Sequence, residues 1–161
     1  MNKKLLIGKC FTKKNPSEAG GVIVLFEKLK EDFESHQIKY DLVDINYRNY
    51  SNYKIISYPL ILLQIFKNII YKNVVMLNID DNGLINYAPF ILFFRKVLSY
   101  KVYIRMFGGS LDRKYDKSSF FTKKIIKYSI KNCDKIFYEP KYLIKRFLLF
   151  NNNSYWFPNV R

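Results

Sequence analysis

The sequence predicts an α/β fold in which a mostly parallel sheet of about six strands carries helices on both faces. Short, continuous apolar runs alternate with amphipathic helical patterns from one end of the chain to the other. Runs that are apolar throughout are typical of strands buried on both faces of a sheet. Glycine pairs follow two of these runs, at Gly20-Gly21 and Gly108-Gly109. These observations favour one βαβ domain over residues 1–161.

Each predicted strand is rich in aliphatic or aromatic residues and ends in polar or glycine-containing sequence. The predicted strands are Leu5–Cys10, Ile38–Ile45, Val74–Leu77, Val102–Met106, Lys135–Tyr138 and Ser154–Phe157. Parallel neighbours need crossover connections, and the helical patterns between the runs supply them. The sequence therefore predicts a Rossmann-like sheet.

The intervals between the strands carry apolar residues at helical spacing. The predicted helices are Gly21–Phe33, Pro59–Ile70, Leu84–Leu98, Lys117–Asn132 and Pro140–Phe150. Proline is tolerated in a first turn, which is where Pro59 and Pro140 are placed. Asp116 is the expected N-cap of the fourth helix. Pro89 either kinks the third helix or marks its true start.

The chain is strongly basic, with 28 Lys and Arg against 13 Asp and Glu and a formal net charge of +15. This charge attracts phosphorylated substrates, anionic membranes or nucleic acid. Nucleic acid is the least favoured of these partners, because the sequence shows no helix-turn-helix, RRM-like or zinc pattern. Cys10 and Cys133 match no metal or redox spacing, so we expect no metal site and a reducing, cytoplasmic location.

Two apolar stretches, Ile55–Phe66 and Tyr87–Phe94, are the longest in the chain. Both are shorter than the roughly 18 residues of a membrane-spanning helix. No secretory signal is evident after the basic N-terminus. The expected location is therefore the cytoplasm, with peripheral attachment at the inner face of the plasma membrane as an open alternative.

The two glycine pairs indicate a site for a phosphorylated ligand at the carboxyl ends of the strands. Glycine lets the backbone approach a bulky anion, and a helix N-terminus offers free N–H groups and partial positive charge. The alternative is that each pair only forms a turn. Asp80-Asp81 also follows a predicted strand. It is either a turn and helix-cap cluster, or a group that contacts a substrate hydroxyl or acts on it as a base.

Five motifs occur in an order that resembles the N-terminal half of family 4 glycosyltransferases, which have the two-domain GT-B fold. They are Gly20-Gly21-Val22, Tyr40–Asn46, Arg105–Asp112, Asn132–Ile136 and Trp156–Arg161. The resemblance covers nearly the whole chain and depends on the ordered set rather than on any single motif. It implies transfer of a sugar from a nucleotide-sugar to an acceptor.

In the GT-B fold the N-terminal domain mainly holds the acceptor, and its first glycine loop reaches the donor diphosphate. The resemblance therefore places Gly20 and Gly21 near that diphosphate, and Pro158 and Asn159 at the interdomain crossing. It places on the cleft or acceptor side Asp81, Arg105, Phe107, Gly108, Gly109 and Ser110. Nearby basic residues that could face an anionic acceptor or a membrane surface are Lys13, Lys14, Arg105 and Arg113.

Two departures from the family matter. Many relatives carry a histidine immediately before the second glycine motif, where this chain has Phe107. The donor-binding C-terminal domain, with its paired-glutamate motif, is expected after Arg161 but is not in the sequence. We therefore expect an acceptor-side domain for a cell-surface glycan or lipid-linked acceptor, inactive alone. It is either a truncated protein or one half of a split enzyme whose donor-binding domain is a separate chain.

The nucleotide-sugar would be a substrate, and no cofactor is expected. Catalytic residues are not assigned from the sequence. A second hypothesis is a non-catalytic basic module that binds anionic membrane or nucleic acid. A third is a different Rossmann-like enzyme, although no nucleophile–base pair supports it.

Overall fold

Six parallel strands form one sheet in the computed structural model, which describes residues 3–12 and 20–158. The strands are β1 Lys4–Gly8, β2 Asp41–Asp44, β3 Val74–Ile79, β4 Lys101–Met106, β5 Lys135–Tyr138 and β6 Ser154–Trp156. Their order is β2-β1-β3-β4-β5-β6, and every neighbouring pair is parallel. The prediction of an α/β fold with a Rossmann-like sheet is confirmed.

Helices connect the successive strands. They are α1 Gly21–Ser35, α2 Lys54–Ile69, α3 Asp81–Asn86, α4 Ala88–Leu98, α5 Leu111–Lys117, α6 Phe120–Asn132 and α7 Lys141–Phe147, with a 3-10 turn at Tyr47–Asn49. In residues 3–12 and 20–158, none of these helices is both long enough and apolar enough to cross a bilayer.

The helices cover the two faces of the sheet unequally. The larger core joins one face to apolar residues of α2, α4, α6 and α7, such as Ile65, Ile91, Ile126 and Phe147. The smaller core contains Leu6 of β1 with Phe26 and Leu29 of α1. Right-handed crossovers explain the asymmetry. The β1–β2 connection runs in one direction across the sheet and all later connections run in the opposite direction, so α1 lies on one face and the later helices lie on the other.

Helix α2 begins five residues before the predicted start at Pro59, which lies inside the helix. The reason is Ser57, whose buried hydroxyl donates to the carbonyl oxygens of Tyr47 and Tyr53 and anchors an earlier first turn. Pro59 cannot pair with the carbonyl of Ile55, but Ile55 is 86% exposed and its carbonyl can bond to water. The missing hydrogen bond is therefore tolerated.

The predicted helix Leu84–Leu98 is divided into α3 and α4, and the predicted helix Lys117–Asn132 begins only at Phe120, after the unpredicted helix α5. Pro89 lies in the first turn of α4, so it marks a helix start rather than a kink. Asp116 lies within α5 and pairs with Arg146 at 2.6 Å instead of capping the next helix. Ser119 is the N-cap of α6, and its hydroxyl accepts a hydrogen bond from the Thr122 N–H.

The strand order reverses direction between β1 and β3. The chain leaves β1 toward β2 on one side and later returns to β3 on the other. In open parallel sheets a crevice forms at such a point, outside the carboxyl ends of the strands. The fold therefore places a candidate ligand site beyond Gly8 and Ile79, which end these strands.

Candidate functional site

An ion pair joins the carboxyl ends of β1 and β3. The Lys9 ammonium donates to Asp80 Oδ2 at 2.5 Å, and the Gly83 N–H donates to Asp80 Oδ1 at 2.8 Å. Burial raises the pKa of Asp80, but the hydrogen bonds from Lys9 and Gly83 outweigh it and hold the pKa below its ordinary value. Asp80 is thus an ionised carboxylate that caps α3 and fixes the floor of the crevice.

Asp44 at the end of β2 positions the segment that leaves β1. Its Oδ1 accepts hydrogen bonds from the N–H groups of Cys10 and Asn46 at 3.0 and 2.7 Å. Its Oδ2 accepts one from the Asn49 side chain at 2.5 Å. These contacts hold the first residues after β1 against the end of β2. Lys9, in the same segment, instead pairs with Asp80 at the end of β3.

A cavity of about 640 Å³ opens between the start of α1, the start of α3 and the segment that follows β4. We call it the switch-point cavity. Four of the predicted cleft residues line it, namely Asp81, Phe107, Gly108 and Ser110. Val22, which directly follows the first glycine pair, lines the opposite wall. The fold therefore brings sequence-distant predicted site residues to one cavity.

The cavity has a cationic wall formed by the short helix α5. Arg113, Lys114 and Lys117 all line it. The Lys114 ammonium donates to Asn82 Oδ1 at 2.5 Å, which ties α5 to α3 across the cavity. Neither Lys114 nor Lys117 is singled out by sequence reasoning, although their spacing with Arg113 on one helix after the second glycine pair is a visible signal.

Asp81 supplies a desolvated carboxylate on the same cavity. It is 7% exposed, and the Ser110 hydroxyl donates to its Oδ2 at 2.6 Å. Its Oδ1 is buried and has no hydrogen-bond partner among the described residues. Burial raises the pKa of Asp81 above its ordinary value, although the Ser110 hydrogen bond opposes the shift. A ligand hydroxyl that reaches this carboxylate would add a hydrogen bond that the protein does not supply.

The first glycine pair forms the N-terminus of α1. Gly20 is the N-cap with extended backbone, and Gly21 is the first helical residue. Among the described residues, no atom lies within 4 Å of a Cβ placed on either glycine, apart from their immediate chain neighbours. The N–H groups of Ile23 and Val24 bond back to the Gly20 carbonyl at 2.9 and 3.3 Å, so only N–H groups nearer the start of α1 could meet an anion. Lys13 and Lys14 lie outside the described residues.

The second glycine pair mainly shapes its own turn. Gly108 has φ of +85°, a conformation that favours glycine, and its N–H donates to Glu139 Oε2 at 2.8 Å. A Cβ on Gly109 would lie 3.2 Å from Cγ of Pro140, and the Gly109 carbonyl accepts a hydrogen bond from the Tyr142 hydroxyl. In this structure the pair directs Ser110 toward the cavity.

Arg105 and Pro158 lie on a neighbouring cavity of about 230 Å³ rather than on the switch-point cavity. The Arg105 guanidinium carbon is 4.7 Å from the ring centre of Phe107 and 4.2 Å from that of Phe157. Burial lowers the pKa of Arg105 to about 10, with the nearby Glu139 opposing the shift, so Arg105 stays cationic at neutral pH. Asn159 lies outside the described residues.

A third cavity, of about 460 Å³, lies on the other side of Asp80. Lys9 and Lys54 line it, and it shares Asp80 and Asn82 with the switch-point cavity. The carboxyl edge of the sheet therefore offers two adjoining cavities with basic residues on both. A bound phosphate group could reach cations from either one.

Comparison with known proteins identifies no family for this chain: no protein-family model and no curated protein matches it. Within residues 3–12 and 20–158, no group of three or more His, Cys, Asp or Glu could hold a metal ion. The chemistry of the site follows from its own geometry. It combines the first turn of α1, a wall of cations and a desolvated carboxylate, which suits a ligand that bears both phosphate and hydroxyl groups.

Proposed function

We propose that the chain is the acceptor-side domain of a glycosyltransferase. It would hold a cell-surface glycan or a lipid-linked sugar in the switch-point cavity while a second domain presents the nucleotide-sugar. One observation carries the proposal: a single cavity joins the α1 wall beside the first glycine pair, the Asp81–Ser110 pair and the cations of α5. The resemblance to family 4 glycosyltransferases supports the same assignment.

Each part of the cavity has a role in this proposal. Arg113 and Lys114 would bind the phosphate groups of a lipid-linked acceptor through charge-assisted hydrogen bonds. Asp81 would accept a hydrogen bond from an acceptor hydroxyl. Gly20 and Gly21 would admit the donor diphosphate at the N-terminus of α1. The cavity volume of about 640 Å³ suits a ligand larger than one sugar ring.

The isolated chain is expected to turn over slowly or not at all. Transfer requires displacement of a nucleotide diphosphate from the anomeric carbon, with the departing negative charge stabilised by fixed cations and dipoles. The proposed acceptor site supplies one wall of such a centre. The donor-binding domain would supply the rest, so binding of the acceptor is the property to test first.

Isothermal titration calorimetry tests the proposal with three probes. They are a short-chain isoprenyl diphosphate carrying one N-acetylglucosamine, inorganic pyrophosphate and free N-acetylglucosamine. We expect the linked compound to bind at least about tenfold more tightly than pyrophosphate or free N-acetylglucosamine. Only the linked compound can contact the cations of α5 and Asp81 at the same time. Binding of pyrophosphate as tight as that of the linked compound would contradict a sugar-acceptor site.

Substitutions of residues that line the cavity test whether the linked compound binds there. Lys114→Ala should weaken binding of the linked compound by about tenfold, the loss of one hydrogen bond to a charged group. Asp81→Asn should weaken it by a smaller factor. Lys131→Ala is the matched control, because Lys131 is exposed in the last turn of α6, next to the amino end of β5. An equal loss in the Lys131 variant, or no binding by the wild-type chain, would overturn the proposal.

A further inference from the structure

Helix α2 is apolar on the side that faces solvent as well as on the side that faces the core. Its buried side presents Ser57, Ile61, Ile65 and Ile69. Its outer side presents Ile56, Leu60, Leu63 and Phe66, which are 37 to 51% exposed. A helix on the surface of a globular protein normally carries charged or polar residues there. The outer side of α2 is therefore built to meet something other than bulk water.

The apolar surface continues onto α4. The ring centres of Phe66 and Phe94 are 5.0 Å apart, and those of Phe93 and Phe94 are 5.3 Å apart. Phe93 is 60% exposed and Val97, one turn further along α4, is 74% exposed. We define the α2–α4 patch as Ile56, Leu60, Leu63, Phe66, Phe93 and Val97. A contiguous apolar surface of this kind marks an interaction site.

The two helices that form the patch carry basic side chains and no acidic ones. The sequence contains no Asp or Glu in residues 45–79 or in residues 82–111, which include α2 and α4. Lys67 and Lys96 are exposed on the two helices. Arg95 points elsewhere and pairs with Asp134 at 2.7 Å. The patch thus presents apolar and aromatic side chains flanked by cations, without a compensating carboxylate on either helix.

We propose that the α2–α4 patch docks on the surface of an anionic lipid bilayer. The apolar side chains enter the boundary between headgroups and acyl chains, and the lysines contact lipid phosphates. Cations on both helices are complementary to the negative surface. A second copy packed patch against patch would bring the lysines of both copies to one interface, and cores of protein interfaces are depleted in lysine. The charges therefore favour lipid over a protein partner.

This orientation has a consequence for the carboxyl edge of the sheet. Lys54 begins α2 and also lines the third cavity beside Lys9. A bilayer that contacts α2 would therefore lie near the mouth of that cavity. The docking itself requires no sugar chemistry, so it can be tested with vesicles that contain no acceptor, and its failure is distinct from failure of the proposed function.

Vesicle co-sedimentation tests the docking with the full chain. The probes are vesicles of phosphatidylcholine alone and of phosphatidylcholine with about 30% phosphatidylglycerol. We expect binding to the anionic vesicles that is at least about tenfold stronger than to the neutral ones, since each lysine near the surface contributes to attraction. Equal sedimentation with both vesicles, or none with either, would overturn the proposal.

Matched variants assign the binding to the patch. Leu63→Ser should weaken binding by about tenfold, whereas Val24→Ser should not, because Val24 is 49% exposed on α1 over the other face of the sheet. Lys96→Glu should weaken binding to anionic vesicles more than Lys28→Glu on α1. Circular dichroism verifies that each variant is folded.

Equal losses in patch and control variants would contradict the assignment. Light scattering measures whether the chain is a monomer or a dimer in solution. A dimer that Leu63→Ser dissociates, together with absent vesicle binding, would assign the patch to a second copy and overturn the lipid proposal.

Discussion

The close contact between β1 and α1 makes Gly8 sensitive to a single added methyl group. A Cβ on Gly8 would lie 2.5 Å from Cε2 and Cζ of Phe26, whose side chain is fully buried. Phe26 also packs with Leu6 and Leu29 in the smaller core, so its ring cannot move without disturbing them. Overpacking of this kind costs about 1–3 kcal/mol. For a chain of this length, that lowers the Tm by roughly 2–12 °C.

Thermal and urea unfolding followed by circular dichroism measure the effect of Gly8→Ala. Gly21→Ala is the matched control, because among the described residues no atom lies within 4 Å of a Cβ there and Gly21 begins a helix. Its free energy of unfolding should stay the same or rise by up to about 1 kcal/mol. Phe26→Leu introduced with Gly8→Ala should recover at least about 0.5 kcal/mol of coupling energy. A Gly8→Ala chain as stable as wild type would refute the reasoning.

Three further predictions concern buried polar groups. Asn151→Ala should lower the free energy of unfolding by about 2–3 kcal/mol in urea titrations, because its side-chain N–H group donates to the carbonyls of Ile130 and Cys133 at 2.8 and 3.0 Å. Burial raises the pKa values of Cys10 and Cys133 to about 12, so neither thiol should react quickly with Ellman's reagent at pH 8 unless the chain is unfolded; rapid native-state labelling would contradict this. The pKa of Asp80 in the folded chain is held below its ordinary value, so the ionised carboxylate stabilises the fold. This stabilisation is complete above the unfolded-state pKa of about 3.9 and is lost as the pH falls through the lower folded-state pKa. The stability difference between wild type and Asp80→Asn in urea titrations should therefore shrink on acidification, and a constant difference would count against the Lys9–Asp80 pair.

The sheet could be predicted because its strands are short and apolar throughout. In Val74–Ile79 and Lys101–Met106, for example, both the local residue preferences and the burial of the side chains favour a strand. A ligand site at the carboxyl ends of the strands was also expected from the predicted βαβ succession. Where in the sheet the crevice forms depends on the strand order. The strand order itself depends on the direction of each crossover, which the local pattern does not contain.

Helix starts were less predictable because long-range contacts decide them. Pro59 has the properties of a first-turn residue, but the buried Ser57 hydroxyl extends α2 toward Tyr53. Asp116 is a good N-cap by type, yet its carboxylate pairs with Arg146 from α7. Both cases depend on side-chain partners that come from other parts of the fold.

The candidate site likewise combines features that could be predicted from the sequence with contacts that could not. The family resemblance assigned Asp81 and Ser110 to the same side of a cleft, but the hydrogen bond that the Ser110 hydroxyl donates to Asp81 was not predicted. The Gly108 N–H, by contrast, meets Glu139, a contact across 31 residues that no local motif reveals. Arg105 alternates with buried Ile104 and Met106 along β4, so its side chain lies on the α1 face and reaches the neighbouring cavity.

Amide chemical-shift mapping tests the central claim most directly. The claim is that the switch-point cavity, which Val22 and Gly108 line, binds a ligand with phosphate and sugar groups. Titration of the ¹⁵N-labelled chain with the isoprenyl-diphosphate-linked sugar should shift the amide signals of Val22, Asp81, Ser110 and Lys114, while Ser99, at the amino edge of the sheet, stays unchanged. Shifts concentrated near Ser99, or none at all, would contradict the account.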